Sequence, residues 1–448
     1  MKGLNIDVHI MLMSFLPTSD LSSLLQTCRH LHDAGIPSLC LHAGNRPIDK
    51  ARHALSFRDF LRVGAPESRD ILVQGLWFRL PERSQFDGST GTSQRPQEWT
   101  AVLTILYNCR ALRRLRIDTW DDRIDPIKVL NPVFTSLKCL EDLSIALTPE
   151  VVQELQRVSL NGLRRLSVRW PRESELSLAL RRNVLLTLRP LADTLVELNN
   201  VIPRYLRAPF SLVEKLGLAM DRSETLIRDA VHTFPNVTLL TLYSEHHPRC
   251  HWDNNAGRQE DVAFRNENKS RWSSNYSDAW PSLTAVWAED LCGAYCLGIV
   301  HSVRAISLPL TLDSRFHMLP TIVAETRPSS LELRVDLDDP RICTGILDRL
   351  RMPDWRWLED PVNASLSHLV LLLEGLDRAP VHASYRTEAR LILVRCLYLI
   401  ASLARWKVVL ALTHAPLAGW VRLCPRRSLS HLSAAEIPRP SRCRGHRC

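Results

Sequence analysis

The chain has 448 residues, 45% of them hydrophobic and 23% charged, with twelve cysteines and a net charge of +9. That length exceeds what one compact core usually holds, so several domains or an extended repeat are expected. Residues 422–448 carry seven arginines against the single acid Glu436, so the positive excess belongs to one terminal segment and a folded polyanion-binding face is not expected.

The first forty residues predict two or three very short helices with more apolar surface than they can bury among themselves. Val8, Leu12 and Phe15 or Leu16 recur at four- and three-residue steps, which makes one helical stripe. Pro17 ends that helix. Asp20, after Thr18 and Ser19, predicts the N-cap of a second helix carrying Leu21, Leu24 and Leu25. Below about 40 residues a chain rarely sustains its own core, which points to a docking element. The alternative is a helical hairpin that caps the next domain.

These residues resemble the F-box. Leu4, Asp7-Val8, Met13-Ser14-Phe15-Leu16, Asp20-Leu21 and Thr27-Cys28-Arg29 fill that family's slots in order. Asn5 stands where the family usually has proline, and Leu31 takes the apolar position next to its usual tryptophan. Both variants look like those of mushroom-lineage fungal F-box proteins. The match spans roughly residues 3–41, under a tenth of the chain. The resemblance implies docking on a Skp-type adaptor, and through it a cullin–RING ubiquitin ligase. The residues expected to carry docking are Leu4, Asn5, Val8, Leu12, Phe15, Leu16, Leu21, Leu24 and Cys28.

Beyond the F-box-like module (1–42), residues 43–415 read as one degenerate array. The motif apolar-x-x-apolar-x-apolar returns as Val73/Leu76/Phe78, Leu112/Leu115/Ile117, Leu140/Leu143/Ile145 and Leu163/Leu166/Val168. Further copies are Val213/Leu216/Leu218, Val237/Leu240/Leu242, Leu283/Val286/Ala288, Val303/Ile306/Leu308 and Leu366/Leu369/Leu371. Leu195/Leu198 starts a copy that breaks at Asn200, and Leu331/Leu333/Val335/Leu337 reads as a plain alternating strand. The last two apolar positions have the period of a half-buried strand, and the lead residue sits on the turn entering it. Helices are expected to return the chain at 149–157, 175–188 and 223–232. Such a pattern matches the leading half of a leucine-rich repeat, stabilised by stacking of neighbours. Lead residues recur at intervals of 18 to 46, so the expected class is α/β, an irregular leucine-rich-repeat-like solenoid behind a short helical module. An α/β sheet with crossover helices is the alternative.

Two polar insertions interrupt the array, 84–98 and 245–280. The first is rich in Gly, Ser and Thr and reads as a loop. The second has few aliphatics and reads as largely disordered, with Trp252, Trp272 and Tyr276 as possible anchors for a peptide. Residues 389–412 are strongly apolar, but Arg395 and Arg405 enclose nine uncharged residues where a membrane helix needs about 20. An amphipathic helix followed by a strand at 408–412 is expected there, and no membrane span. Residues 416–448, with dense arginine and Pro425, Pro438 and Pro440, are expected to be a disordered basic tail or the product of a misread gene model.

No phosphate loop, nucleophile elbow or His-Glu-x-x-His helix occurs in the sequence. The nearest metal-like set is Cys250-His251 with Cys292 and Cys296, whose three-residue gap suits one helix face rather than a zinc knuckle. Buried free thiols are expected, with no metal, no cofactor and no enzyme activity. No signal segment opens the sequence, so cytoplasm or nucleus, reduced thiols and unused sequons at Asn236, Asn268, Asn275 and Asn363 are expected. The function implied is a substrate-recognition subunit of a Skp–cullin–F-box ubiquitin ligase, which presents a protein target of unknown identity. The alternative is a repeat scaffold without a ligase. Nucleic acid is not expected among the partners.

Overall fold

The computed structural model describes residues 6–16, 18–45, 47–62, 69–79, 95–118, 132–146, 151, 155, 157, 160–169, 184–202, 206, 209–220, 227–244, 255–275, 280–309, 317–336, 357–358, 360–374, 407–412 and 421–423. It is a mixed α/β chain with a parallel sheet. Two compact units are present, Met1–Leu308 with Ser314–Thr326, and Pro309–Asp313 with Arg327–Cys448.

The first unit opens with α1 (Ile6–Phe15), α2 (Thr18–Leu25) and α3 (Arg29–His42), followed by α4 (Ala51–Arg62). Met13, Leu21 and Leu25 form a small interior of their own, flanked by Leu16, Leu24, Leu31 and Leu39. Gly35 of α3 makes that interior possible. A Cβ there would lie 2.1 Å from Leu25 Cδ2 and 3.0 Å from Met13 Sδ. The start of α2 differs from the sequence expectation. The helix begins at Thr18, so Asp20 sits within its first turn rather than at the N-cap. A carboxylate there still favours the helix through the positive end of the macrodipole.

Among the described residues nine strands follow: β1 (Gly75–Phe78), β2 (Arg114–Ile117), β3 (Asp142–Ala146), β4 (Arg165–Arg169), β5 (Glu197–Val201), β6 (Lys215–Met220), β7 (Leu239–Ser244), β8 (Ala285–Ala288) and β9 (Ala305–Pro309). Each pairs in parallel with the next in sequence. Period two explains the register, because Leu115, Leu143, Leu166, Leu198, Leu216 and Leu240 align across neighbouring strands and are buried. The lead residue has a physical role. Leu112, Leu140, Leu163, Val213 and Leu283 each donate their backbone N–H to the carbonyl three residues earlier, closing a tight turn before the strand. The interruption at Asn200 is also present. Asn200 adopts φ 62, and the β5/β6 register shifts between Leu198 and Val201. Asparagine tolerates that backbone, and its side-chain amide donates to the Val168 carbonyl at 3.0 Å.

Helical segments join the strands. They include α5 (Arg95–Asn108), α6 (Ile227–Thr233), α7 (Asn255–Asn275), α8 (Leu291–Leu297) and α9 (Met318–Thr326). Three expectations need correction. The insertion 84–98 is shorter than read, because Arg95–Glu98 already belong to α5. The insertion 245–280, read as largely disordered, contains the 21-residue α7. Its buried positions Asp261, Arg265 and Asn268 follow helical spacing but are polar, so no apolar stripe announces the helix. Within the segment 416–448, expected to be disordered, Val421–Leu423 form a strand in the second unit. Trp252 and Tyr276 lie outside the described residues, as does most of the tail.

In the second unit β10 (Ser330–Asp336), β11 (His368–Glu374) and β12 (Lys407–Leu412) are parallel, and β13 (Val421–Leu423) is antiparallel to β12. The alternating strand at Leu331 and Leu333 and the strand expected at 408–412 are both found. Of the return helices expected at 149–157, 175–188 and 223–232, all lie partly outside the described residues, and the last is found as a helix over Ile227–Thr233. The helix expected before residue 408 lies outside them altogether. Among the described residues no helix is long and apolar enough to cross a membrane.

Candidate functional site

Helix α1 has the composition of a buried element, yet most of it faces solvent. Phe15 is 79% and Met11 55% exposed, and Val8, Ile10 and Leu12 are exposed as well. Five of the twelve large apolar side chains exposed among the described residues therefore belong to these ten residues. Scattered apolar residues on a surface mean little, but a concentration of this kind marks an interaction site. Among the described side chains of the helix Met13 is the buried anchor, and Val8, Ile10, Met11, Leu12 and Phe15 leave hydrocarbon uncovered between the polar Asp7, His9 and Ser14.

The nine residues expected to dock fall into distinct environments. Val8, Leu12 and Phe15 share the exposed face. Leu16 and Leu24 are half-buried against the module's interior. Leu21 is fully buried beside Met13 and Leu25, so it holds the module together and is not presented to a partner. Cys28 is exposed at the N-cap of α3 in extended conformation, φ −157 and ψ 155. Leu4 and Asn5 lie outside the described residues. Sequence reasoning missed Ile10 and Met11, which flank the expected stripe. Their apolarity was a signal, but a single stripe at helical spacing could not accommodate them.

The far end of the module is anchored to the sheet. Ile48 bridges Phe78 in parallel, accepting from Arg79 N–H at 3.1 Å and donating to the Trp77 carbonyl at 2.7 Å. Gly44 lies so close to Gly75 that a Cβ would sit 2.7 Å from the Gly75 carbonyl carbon. Cys40 of α3 and Cys109 after α5 are buried, and burial pushes their thiols up to about 11 and about 12. Both stay protonated and act as small apolar side chains.

The outward strand positions make a second surface. Arg114, Asp142, Arg165, Glu197 and Lys215 are register partners across β2 to β6, so charge alternates along the row. Arg165 pairs with Asp142 at 3.1 Å and Lys215 with Glu197 at 3.8 Å. Burial raises the Asp142 pKa and the Arg165 guanidinium partly offsets it. At the β1 edge, Arg79 and Arg116 flank the Trp77 ring at 4.9 and 4.0 Å, and the indole N–H donates to Asp118 at 2.8 Å. Tyr243 and Trp287 meet edge-on farther along, with Tyr243 lying over Gly217. Such a mixture of aromatics and paired charges suits protein contact, because aromatics and Arg supply much of the binding energy at interfaces.

No protein-family model and no curated protein sequence matches this chain.

A third constellation is internal. Cys292 and Cys296 are buried on one face of α8, as their spacing suggested, with Asp261 of α7 against both. Arg265, one turn along α7, packs over the Tyr295 ring at 4.2 Å, donates to the Tyr295 carbonyl and pairs with Glu325 of α9. Lys269 reaches the same carboxylate at 2.9 Å. Asn268 donates to the Cys296 carbonyl at 2.9 Å. Cys250 and His251 lie outside the described residues. Asp261 could not be connected with the cysteines by sequence, since it precedes Cys292 by more than thirty positions on another helix.

Proposed function

We propose that this chain is the substrate-recognition subunit of a Skp–cullin–F-box ubiquitin ligase. Its N-terminal helices dock a Skp-type adaptor, and the strand array presents a protein target. The observation that carries this reading is the uncovered apolar face of α1, in a small module whose residues follow the F-box order. Sequential parallel strands, each entered through a buried lead residue, support an irregular leucine-rich-repeat-like solenoid for the array. The chain itself makes and breaks no bonds. Tethering raises the effective concentration of target lysines near the conjugating enzyme, in cytoplasm or nucleus, where such ligases work.

The direct test is co-purification of the full-length chain with a Skp-type adaptor. Wild type forms a stable complex on size-exclusion chromatography. Leu12→Ala combined with Phe15→Ala loses it with little change in melting temperature, because both side chains are already in solvent. Removing central apolar anchors of an interface costs about 2 kcal/mol or more each. Equal binding by the double variant contradicts the assignment.

A non-enzymatic repeat scaffold without a ligase is the competing function. The Ile48 bridge to Phe78 and the Gly44–Gly75 contact favour it, because they make the helices a cap on the sheet edge. On that account the wild-type chain ignores the adaptor altogether.

A further inference from the structure

We propose that Asp261, Cys292 and Cys296 bind a thiophilic divalent cation, zinc in the first instance, which staples α7 to α8. This site is independent of the docking function.

The geometry suits such an ion. Cys292 and Cys296 lie one turn apart on α8, with their sulfurs 3.7 Å from each other. A tetrahedral zinc with two thiolates at about 2.3 Å keeps its sulfurs about 3.8 Å apart. The Asp261 carboxylate straddles the pair, Oδ2 lying 3.7 Å from Cys292 Sγ and Oδ1 3.6 Å from Cys296 Sγ. All three residues are at most 3% exposed. The ligand helix is also fixed at both ends. Asp290 accepts from the N–H groups of Cys292 and Gly293 at 2.8 and 3.2 Å, and Gly298 terminates the helix at φ 63. A Cβ on Gly298 would sit 3.3 Å from the Arg265 carbonyl oxygen, so glycine lets α7 approach.

Charge decides the ion class. Two thiols and a carboxylate form a soft donor set, unlike the all-oxygen shells of magnesium and calcium. Binding a divalent ion displaces the two thiol protons to solvent, with no change of oxidation state. Two thiolates and one carboxylate then exceed the ion by one negative charge. Arg265 and Lys269, one and two turns along the same side of α7 from Asp261 and both reaching the Glu325 carboxylate, place positive charge near that excess. The buried face of α7 is polar at Asp261, Arg265 and Asn268, so an ion gives this helix a hold that apolar packing does not supply.

Metal analysis of the full-length chain, purified reduced and without chelator, tests the site. Wild type retains zinc after dialysis, and cobalt(II) in its place gives a thiolate charge-transfer band. Cys292→Ser combined with Cys296→Ser loses both signals. Asp261→Asn binds more than about tenfold more weakly. Cys139→Ser, at an exposed thiol, leaves zinc binding unchanged. Zinc retained in full by the Cys292/Cys296 double variant overturns the proposal, as does a reduced wild type that takes up no zinc. A Cys292–Cys296 disulfide in chain quenched with iodoacetamide overturns it too. Should the serine variants fail to fold, the wild type decides alone. Chelation lowers its melting temperature and zinc restores it, whereas an unchanged melting temperature overturns the site.

Discussion

Helix α1 leaves Ile10, Met11, Leu12 and Phe15 in solvent, whereas α7 buries Asp261, Arg265 and Asn268 against the helix beside it. The two helices invert the usual partition of apolar and polar residues, for different reasons. Most polar groups on the buried face of α7 find partners within the chain: thiols for Asp261, a carboxylate and a carbonyl for Arg265, a carbonyl for the Asn268 amide N–H, while Asn268 Oδ1 has none among the described residues. A buried polar group costs little once it is hydrogen-bonded. The apolar groups of α1 find no comparable cover, and uncovered hydrocarbon is relieved by association. Composition does not decide which side of a helix is buried; the available partners do.

Three changes break or sharpen this contrast, in descending size. Met13→Ala empties the anchor that holds α1 to its module and costs about 2–5 kcal/mol. Hydrogen exchange checks it, with amide protection lost over 6–42 while β2 to β9 keep theirs. Uniform loss across the unit would mean that the module and the sheet unfold together. Arg265→Met leaves Glu325 with Lys269 alone and costs about 3 kcal/mol, measured by urea unfolding followed through α7 protection. A change below about 0.5 kcal/mol, the usual range for surface substitutions, would mean that the polar stripe does not hold α7 in place.

The smallest effect concerns pH. Burial holds the His301 imidazole below its ordinary pKa of 6.5. The unfolded chain therefore takes up this proton more readily, so stability is full above pH 6.5 and declines as acidification passes that value. His301→Gln should flatten the melting-temperature profile between pH 7 and 5. An unaltered slope would assign the acid sensitivity to other groups.

Much of the sheet was legible in the sequence, because each strand needs two inward apolar residues and a buried lead. Leu112, Leu115 and Ile117 carry that rule locally, without help from distant residues. Even the fault at Asn200 was visible, since a polar residue broke the alternation. Helix α7 was illegible for the converse reason. Its partners, Cys292, Cys296 and Glu325, lie on other helices, and only their placement makes Asp261 and Arg265 interior residues. The exposed apolar face of α1 was half legible. Apolar spacing located Val8, Leu12 and Phe15, but neighbouring positions such as Leu12 and Met13 differ in burial only through the packing of α2 and α3. Leu21 shows the limit, since a residue that fills its own module and one that enters a partner's pocket both have to be apolar.

The central claim is that the bare hydrocarbon of α1 is the chain's attachment surface. Hydrogen exchange of residues 6–16, measured with and without a Skp-type adaptor, tests it most directly. Strong added protection there, with β2 to β9 unchanged, is the predicted result. Unaltered exchange over 6–16 at saturating adaptor would contradict it.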